Sequence, residues 1–257
     1  MEAPPGFEDD FKDGEVCQLK KTLYGLKQSP RAWFERFTEA MKKYDYQQSN
    51  ADHTLFLKKR GDRITCLIIY VDDMIITGDD FDEIKQLKKD LATEFEMKDL
   101  GALKYFLGVE VLRSKEGIFI NQKKYTLDLL AESGMMECKP ADTSIAINHG
   151  LQITEGAQLA DRERYQRLVG KLIYLSHTRP DIAYAVSVIS QFMHRPQNNH
   201  LEAALRVVRY LKGTFDHGIM FKKNGHLEIH GYTDADWAGN PMDRNPLLGT
   251  SHLLEET

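Results

Sequence analysis

Residues 66–78 read CLIIYVDDMIITG, and this stretch constrains the fold more than any other. Cys66–Val71 and Met74–Thr77 are short apolar runs rich in β-branched and aromatic residues, the composition of strands with one buried face. Only Asp72 and Asp73 separate them. Strands joined that briefly read as a hairpin. Adjacent carboxylates at such a join have two readings. One is a solvated tight turn, because Asp is a turn residue. The other is a carboxylate pair raised on a hairpin to hold Mg²⁺, a hard cation that takes a few oxygens and keeps water.

Around this hairpin the chain reads as α+β. Pro30–Tyr44 has apolar residues at helical spacing (Trp33, Phe34, Phe37, Ala40, Met41), with Pro30 in the first turn and Ser29 as the expected N-cap. Thr54–Lys58 and Ile64–Tyr70 read as strands joined at Arg60-Gly61-Asp62, and Asp82–Glu96 as a helix. Leu103–Leu112 reads as one strand, turned back at Lys115-Glu116-Gly117 into Ile118–Asn121, with a helix from Lys123 to Ser133. Residues 137–158 are irregular and carry the expected domain boundary. Three helices follow, over Asp161–His177, Pro180–His194 and Asn198–Leu211. Gly218–Lys222 and Leu227–Thr233 read as a hairpin turning at Asn224-Gly225.

Composition excludes several classes. No stretch approaches the roughly 18 apolar residues of a membrane span. Cys17, Cys66 and Cys138 are widely separated and match neither a disulfide framework nor a zinc spacing, so a reducing intracellular setting is expected, cytoplasm and nucleus not being distinguished. The net charge of −5 does not suggest a nucleic-acid binder. Between Asp161 and Gly213, however, nine basic residues stand against four acids, a balance that fits either a solvated helical surface or a phosphate-tracking face.

Tyr70-Val71-Asp72-Asp73 resembles the YxDD box of reverse transcriptases, and other segments follow the order of copia-type retrotransposon polymerases. LYGLKQSPRAWF (Leu23–Phe34) resembles their template and nucleotide-binding segment, and KDLGALKYFLGVEV (Lys98–Val111) their primer-grip region. Tyr165–Phe192 and GYTDADWAGN (Gly231–Asn240) resemble the helical region and the RNase H opening that follow. The resemblance implies that Asp72 and Asp73 are catalytic carboxylates binding Mg²⁺ (or Mn²⁺). It implies that Tyr24, Gly25, Lys27 and Gln28 contact nucleotide or template, that Phe106, Leu107 and Gly108 grip the primer, and that Lys98 lies near the leaving group. Asp234 would be the first RNase H carboxylate, in vestigial form. The partners implied are an RNA template, a DNA primer and dNTPs.

The expected architecture is an incomplete palm with an antiparallel sheet and the YVDD hairpin (1–136, including the primer-grip region) and an irregular linker (137–160). A helical thumb or connection segment (161–214) and a truncated RNase H-like first hairpin with a divergent tail (215–257) complete it. The family places a third metal carboxylate on a strand before its PPGF segment. Here PPGF is Pro4–Phe7, preceded by Met1-Glu2-Ala3, and the resemblance fades after about Arg244. The expectation is therefore a polymerase fragment that is catalytically incomplete by itself. A noncatalytic nucleic-acid-binding remnant or a functionless transposon relic is the alternative.

Overall fold

Antiparallel pairing builds both sheets of this protein, in a computed structural model that describes residues 25–222 together with Gly6, Lys12, Val16 and Gln18. Two compact units divide the chain, the first ending at Ala102 and the second starting at Leu103. The described residues form six helices and two antiparallel sheets, an α+β architecture.

In the first unit, α1 (Ser29–Lys43) buries Phe37, Ala40 and Met41 along the apolar stripe expected from their spacing. Ser29 is not the cap. Its N–H donates to the Leu26 carbonyl, so a turn precedes the helix and Gln28 takes the N-cap position. The helix ends in a Schellman arrangement. Asp45, at φ 63°, reverses the chain while its N–H reaches the Lys42 carbonyl and the Tyr46 N–H reaches that of Met41. Asp tolerates this left-handed conformation better than most residues, and the reversal sends Tyr46 into the core.

The first sheet has the order β1 (Gln47–Gln48), β2 (Leu55–Arg60), β3 (Arg63–Tyr70), β4 (Asp73–Gly78). Along β3, Thr65, Leu67 and Ile69 are buried while Cys66 and Ile68 face the other side half-covered, the period of two that a half-buried strand requires. Phe56, Leu67 and Ile69 pack with Phe37 and Met41 of α1 and with Leu87 and Leu91 of α2 (Phe81–Glu94). Asp80 caps α2 by accepting from the Glu83 N–H, and the buried Glu83 carboxylate is paired with Lys58 at 2.9 Å and Arg60 at 3.2 Å.

In the second unit, β5 (Tyr105–Phe106), β6 (Val109–Arg113), β7 (Gly117–Asn121) and β8 (Gly218–Lys222) form the other sheet in that order. Its helices are α3 (Lys123–Glu132), α4 (Arg162–Ser176), α5 (Pro180–Ser190) and α6 (Asn198–Gly213). Leu129 and Leu130 of α3 share one core with Tyr165, Leu172, Ile182, Ile189, Val207 and Leu211.

Three expectations change here. The run Leu103–Leu112 is not one strand, because a two-residue turn at Leu107-Gly108 breaks it into β5 and β6. The expected boundary at 137–160 falls inside the second unit: α3, before it, buries its apolar face with α4–α6, and β8 pairs with β7 across it. Gly218–Lys222 accordingly belongs by pairing to the second unit's sheet, while residues 227–233, its expected hairpin partner, lie outside the described residues.

Residues 137–160 carry almost no regular structure, yet they are fastened to α6. Lys212 donates to the Cys138 carbonyl, the Ala141 N–H to the Arg209 carbonyl, and Arg206 to the Thr143 hydroxyl. Gln197 brackets Thr154, accepting from its N–H and donating to its carbonyl. His200, fully buried and stacked on Phe192, accepts from the Gln197 N–H at Nδ1 and donates from Nε2 to the Gln152 carbonyl. Burial holds its pKa below the ordinary histidine value, against an opposing pull from that carbonyl.

Candidate functional site

The β3–β4 hairpin closes on the pair Tyr70↔Asp73, leaving Val71 and Asp72 as its two-residue turn. Val71 holds φ 52°. A β-branched residue in the left-handed region is a genuine outlier that costs on the order of 1–3 kcal/mol and persists only where its surroundings enforce it. The two-residue join enforces it here, because turns with a left-handed first residue match the twist of paired strands. Both Asp72 and Asp73 are exposed, as are Tyr70 and Val71 beside them. Among the described residues, no hydrogen bond or ion pair engages either carboxylate. The hairpin thus carries two hard oxygen donors into solvent on a rigid support.

Such donors suit Mg²⁺ or Mn²⁺. Among the described residues, however, no group of three or more His, Cys, Asp or Glu side chains converges as a metal site. Asp72 and Asp73 fit as part of a coordination shell rather than the whole of one.

Asp72 lines one end of a groove of about 490 Å³ whose other walls are Trp33, Arg36, Met74, Glu94, Phe95, Glu96 and Met97. Trp33 stacks on Phe37 at 5.5 Å, and the Arg36 guanidinium lies 5.5 Å from the centre of the Phe95 ring. Glu94 is held by the Tyr44 hydroxyl at 2.7 Å and by Lys43 at 3.6 Å. The Tyr44 hydrogen bond draws the Glu94 pKa below the usual carboxylate value, and the same bond, with burial, pushes Tyr44 up to about 12. These wall residues were not expected near Asp72. The helical spacing of Trp33 and Arg36 puts them together, but only the packing of α1 and α2 on the sheet aims them at the turn.

Gly25 adopts φ 90° with nothing within 4 Å of the position a Cβ would take, and Lys27 and Gln28 are exposed in the turn entering α1. The Gln28 side chain makes no capping bond, which leaves its amide available. Lys98 is exposed beyond α2. Tyr24 and Asp234 lie outside the described residues.

In the second unit, Phe106 pairs with Val109, and the turn residues Leu107 (φ 49°) and Gly108 (φ 84°) both adopt left-handed angles, a type I′ turn. Gly suits its position. Leu107 does not, and its carbonyl accepts a hydrogen bond from the Tyr174 hydroxyl of α4.

The basic residues of 161–213 do not form the uniform face their count suggests. Arg179 is 2 % exposed and internally paired. Lys171 pairs with Glu132, while Arg206 and Lys212 fasten the 137–160 segment. Arg162, Arg164, Arg167 and Arg195 remain exposed. No helix among the described residues is long and apolar enough to cross a membrane.

Residues 1–147 match the family described as reverse transcriptase (RNA-dependent DNA polymerase). The chain is 44% identical over 243 residues to the retrovirus-related Pol polyprotein from transposon RE1 of Arabidopsis thaliana, a match covering 95% of this chain and 17% of that protein. It is 37% identical over 260 residues to the corresponding polyprotein from transposon TNT 1-94 of Nicotiana tabacum, covering 97% of this chain and 19% of that one. A putative transposon Ty5-1 protein of Saccharomyces cerevisiae is 32% identical over 237 residues, covering 91% of this chain and 77% of that protein. The chain therefore spans less than a fifth of the length of the long polyproteins it matches. No solved structure matches it.

Proposed function

Because the chain belongs to the reverse transcriptase (RNA-dependent DNA polymerase) family, we propose that it is the part of a copia-type polymerase that carries the YVDD hairpin, the primer-gripping turn and the helical segment beyond them. The observation that carries this reading is the exposed, unpaired carboxylate pair Asp72–Asp73 on a hairpin tip held in a left-handed turn. Reverse transcriptases act on nucleic acid and use divalent metal ions. When bound, such ions supply charge neutralisation and activation at the primer 3′-oxygen and the departing pyrophosphate.

In this reading the chain's own residues position and orient. Asp72 and Asp73 provide carboxylate oxygens to the metal site. Gly25 leaves room for close approach of nucleotide or template, with Tyr24, Gln28 and Lys27 beside it. Phe106, Leu107 and Gly108 hold the primer end, Lys98 stands near the leaving group, and Asp234 is a vestigial RNase H carboxylate. The first sheet ends at β4 among the described residues, and this outer strand begins with Asp73. A strand bearing a third carboxylate would pair on that edge. The described residues supply these two carboxylates and no group of three, so the pair is not expected to suffice for catalysis by itself.

Primer extension on an oligonucleotide-primed RNA template, with Mg²⁺ or Mn²⁺ and the purified chain, tests this. No extension by the chain alone, with extension restored by adding a polypeptide that carries the upstream strand, is the expected result. The Asp72→Asn/Asp73→Asn variant should abolish the restored activity. Extension by that variant would refute the role of the pair.

A further inference from the structure

The turn at Leu107-Gly108 is fastened by α4, and the fastening is polar as well as apolar. The Leu107 carbonyl points out of the ladder, because the central residues of a two-residue turn make no cross-strand bonds. The Tyr174 hydroxyl donates to it. The Tyr174 ring meets Tyr125 edge-on at 5.3 Å, and the pair backs onto Gly108, where a Cβ would sit 3.7 Å from Tyr125 Cδ2 and 3.8 Å from Tyr174 Cε1. His177, one turn further along, also meets the Tyr174 ring edge-on, at 6.2 Å. Leu107 is a non-glycine residue at φ 49°, a conformation a neighbour must help to hold.

We infer that Tyr174 is a positioning residue for the primer terminus: its hydroxyl sets the direction in which the Leu107-Gly108 tip projects, so that α4 aims a turn 67 residues earlier in the chain. This rests on the reading of 106–108 as primer-facing. If the turn grips a primer end, its tip must be fixed to within a fraction of an ångström, and loops do not achieve that without support from a rigid element. α4 is rigid because Tyr165, Leu168, Val169, Leu172 and Leu175 are buried in the unit's core. Tyr174 stands between that buried face and the turn.

Tyr174→Phe keeps the ring and deletes the hydroxyl. The test measures fluorescence anisotropy of the full chain on two RNA–DNA hybrids of equal length, one with a recessed primer 3′ end and one blunt. Hydrogen exchange at Leu107–Val109 is measured in parallel, with Tyr184→Phe on the exposed face of α5 as a control. Wild type should prefer the recessed end. Tyr174→Phe should bind it roughly three- to tenfold more weakly, the consequence of one lost hydrogen bond, while blunt-end binding stays unchanged and the melting temperature falls by no more than the few degrees one hydrogen bond is worth. Exchange at the turn should speed up. A variant that keeps the full preference, or one that loses both affinities equally along with thermal stability, overturns the inference about Tyr174 alone. A wild type without preference for the recessed end overturns the primer-facing reading, and this inference with it.

Discussion

Replacing Arg179 with Met should unfasten the second unit locally while leaving the first intact. The guanidinium is 2 % exposed and makes four hydrogen bonds, to Asp181 Oδ1 at 2.9 Å and Oδ2 at 2.6 Å, and to the Thr214 carbonyl and hydroxyl at 2.7 Å each. Tyr210 adds a further bond to Asp181 at 2.9 Å. One side chain therefore ties the start of α5 to the end of α6. Met fills similar volume, but the Asp181 carboxylate loses its cation and the Thr214 carbonyl its donor. Breaking a buried ion pair from one side costs about 3–5 kcal/mol. Asp181 keeps 33% of its side chain in solvent, so the lower end, about 3 kcal/mol, applies.

That loss corresponds to roughly two powers of ten in the local opening equilibrium. Amide hydrogen exchange of the full chain reads it directly, with α5 and α6 as reporters and α1 and α2 as internal control. The double variant Arg179→Met/Asp181→Asn should recover about 1 kcal/mol or more, since no unpaired charge remains. Burial alone would raise the Asp181 pKa, but the Arg179 hydrogen bonds and charge outweigh it and hold the carboxyl below its usual value. The group's folded-state pKa is depressed, so its contribution is fully present above about pH 4 and fades as pH falls through the folded value. Exchange in α5 and α6 rising less than tenfold, or rising equally in α1 and α2, would refute this account.

Three further outcomes are expected. His200 is buried neutral with a depressed pKa, so the fastening of 149–160 should be complete above about pH 6.5 and weaken below it; exchange in that segment, corrected for intrinsic rate, should be unchanged from pH 8 to 7 and rise toward pH 5.5. Val71→Gly relieves the left-handed strain at the hairpin tip, partly offset by glycine's entropy, and should slow exchange in β3 and β4 by an amount equivalent to about 0.5–1 kcal/mol; faster exchange would show that Val71 is unstrained. Phe37→Ala removes a fully buried ring that contacts Trp33, Phe56 and Phe95, and should cost about 3–5 kcal/mol in chemical denaturation followed through the first unit.

Much of the local structure is legible in the chain itself. The helical spacing of Trp33, Phe37 and Met41, the alternation along β3, and Pro180 opening α5 all encode their elements through short-range geometry. The turn at Leu107-Gly108 was legible only in part: its flanks, Lys104–Phe106 and Val109–Leu112, are as strand-like as one continuous run, and a leucine at a left-handed position gives no local signal. The division into units after Ala102 differs from the boundary expected at 137–160 for a related reason. Irregular composition over 137–160 resembles a linker, yet Lys212, Arg206, Gln197 and His200, all distant in sequence, hold it against α6.

For the site, the order of residues by itself points to Asp72 and Asp73 at a hairpin turn, because two short strand-like runs flank so brief a join. Only the tertiary structure decided that Asp72 shares a groove with Trp33, Arg36 and Phe95, and that Arg179 is an internal tie rather than a phosphate contact. It also decided that Tyr174 holds the Leu107 carbonyl. The physical reason is range. Backbone geometry and side-chain period act over a few residues and can be read along the chain, whereas burial and hydrogen-bond partnership depend on which distant surfaces meet.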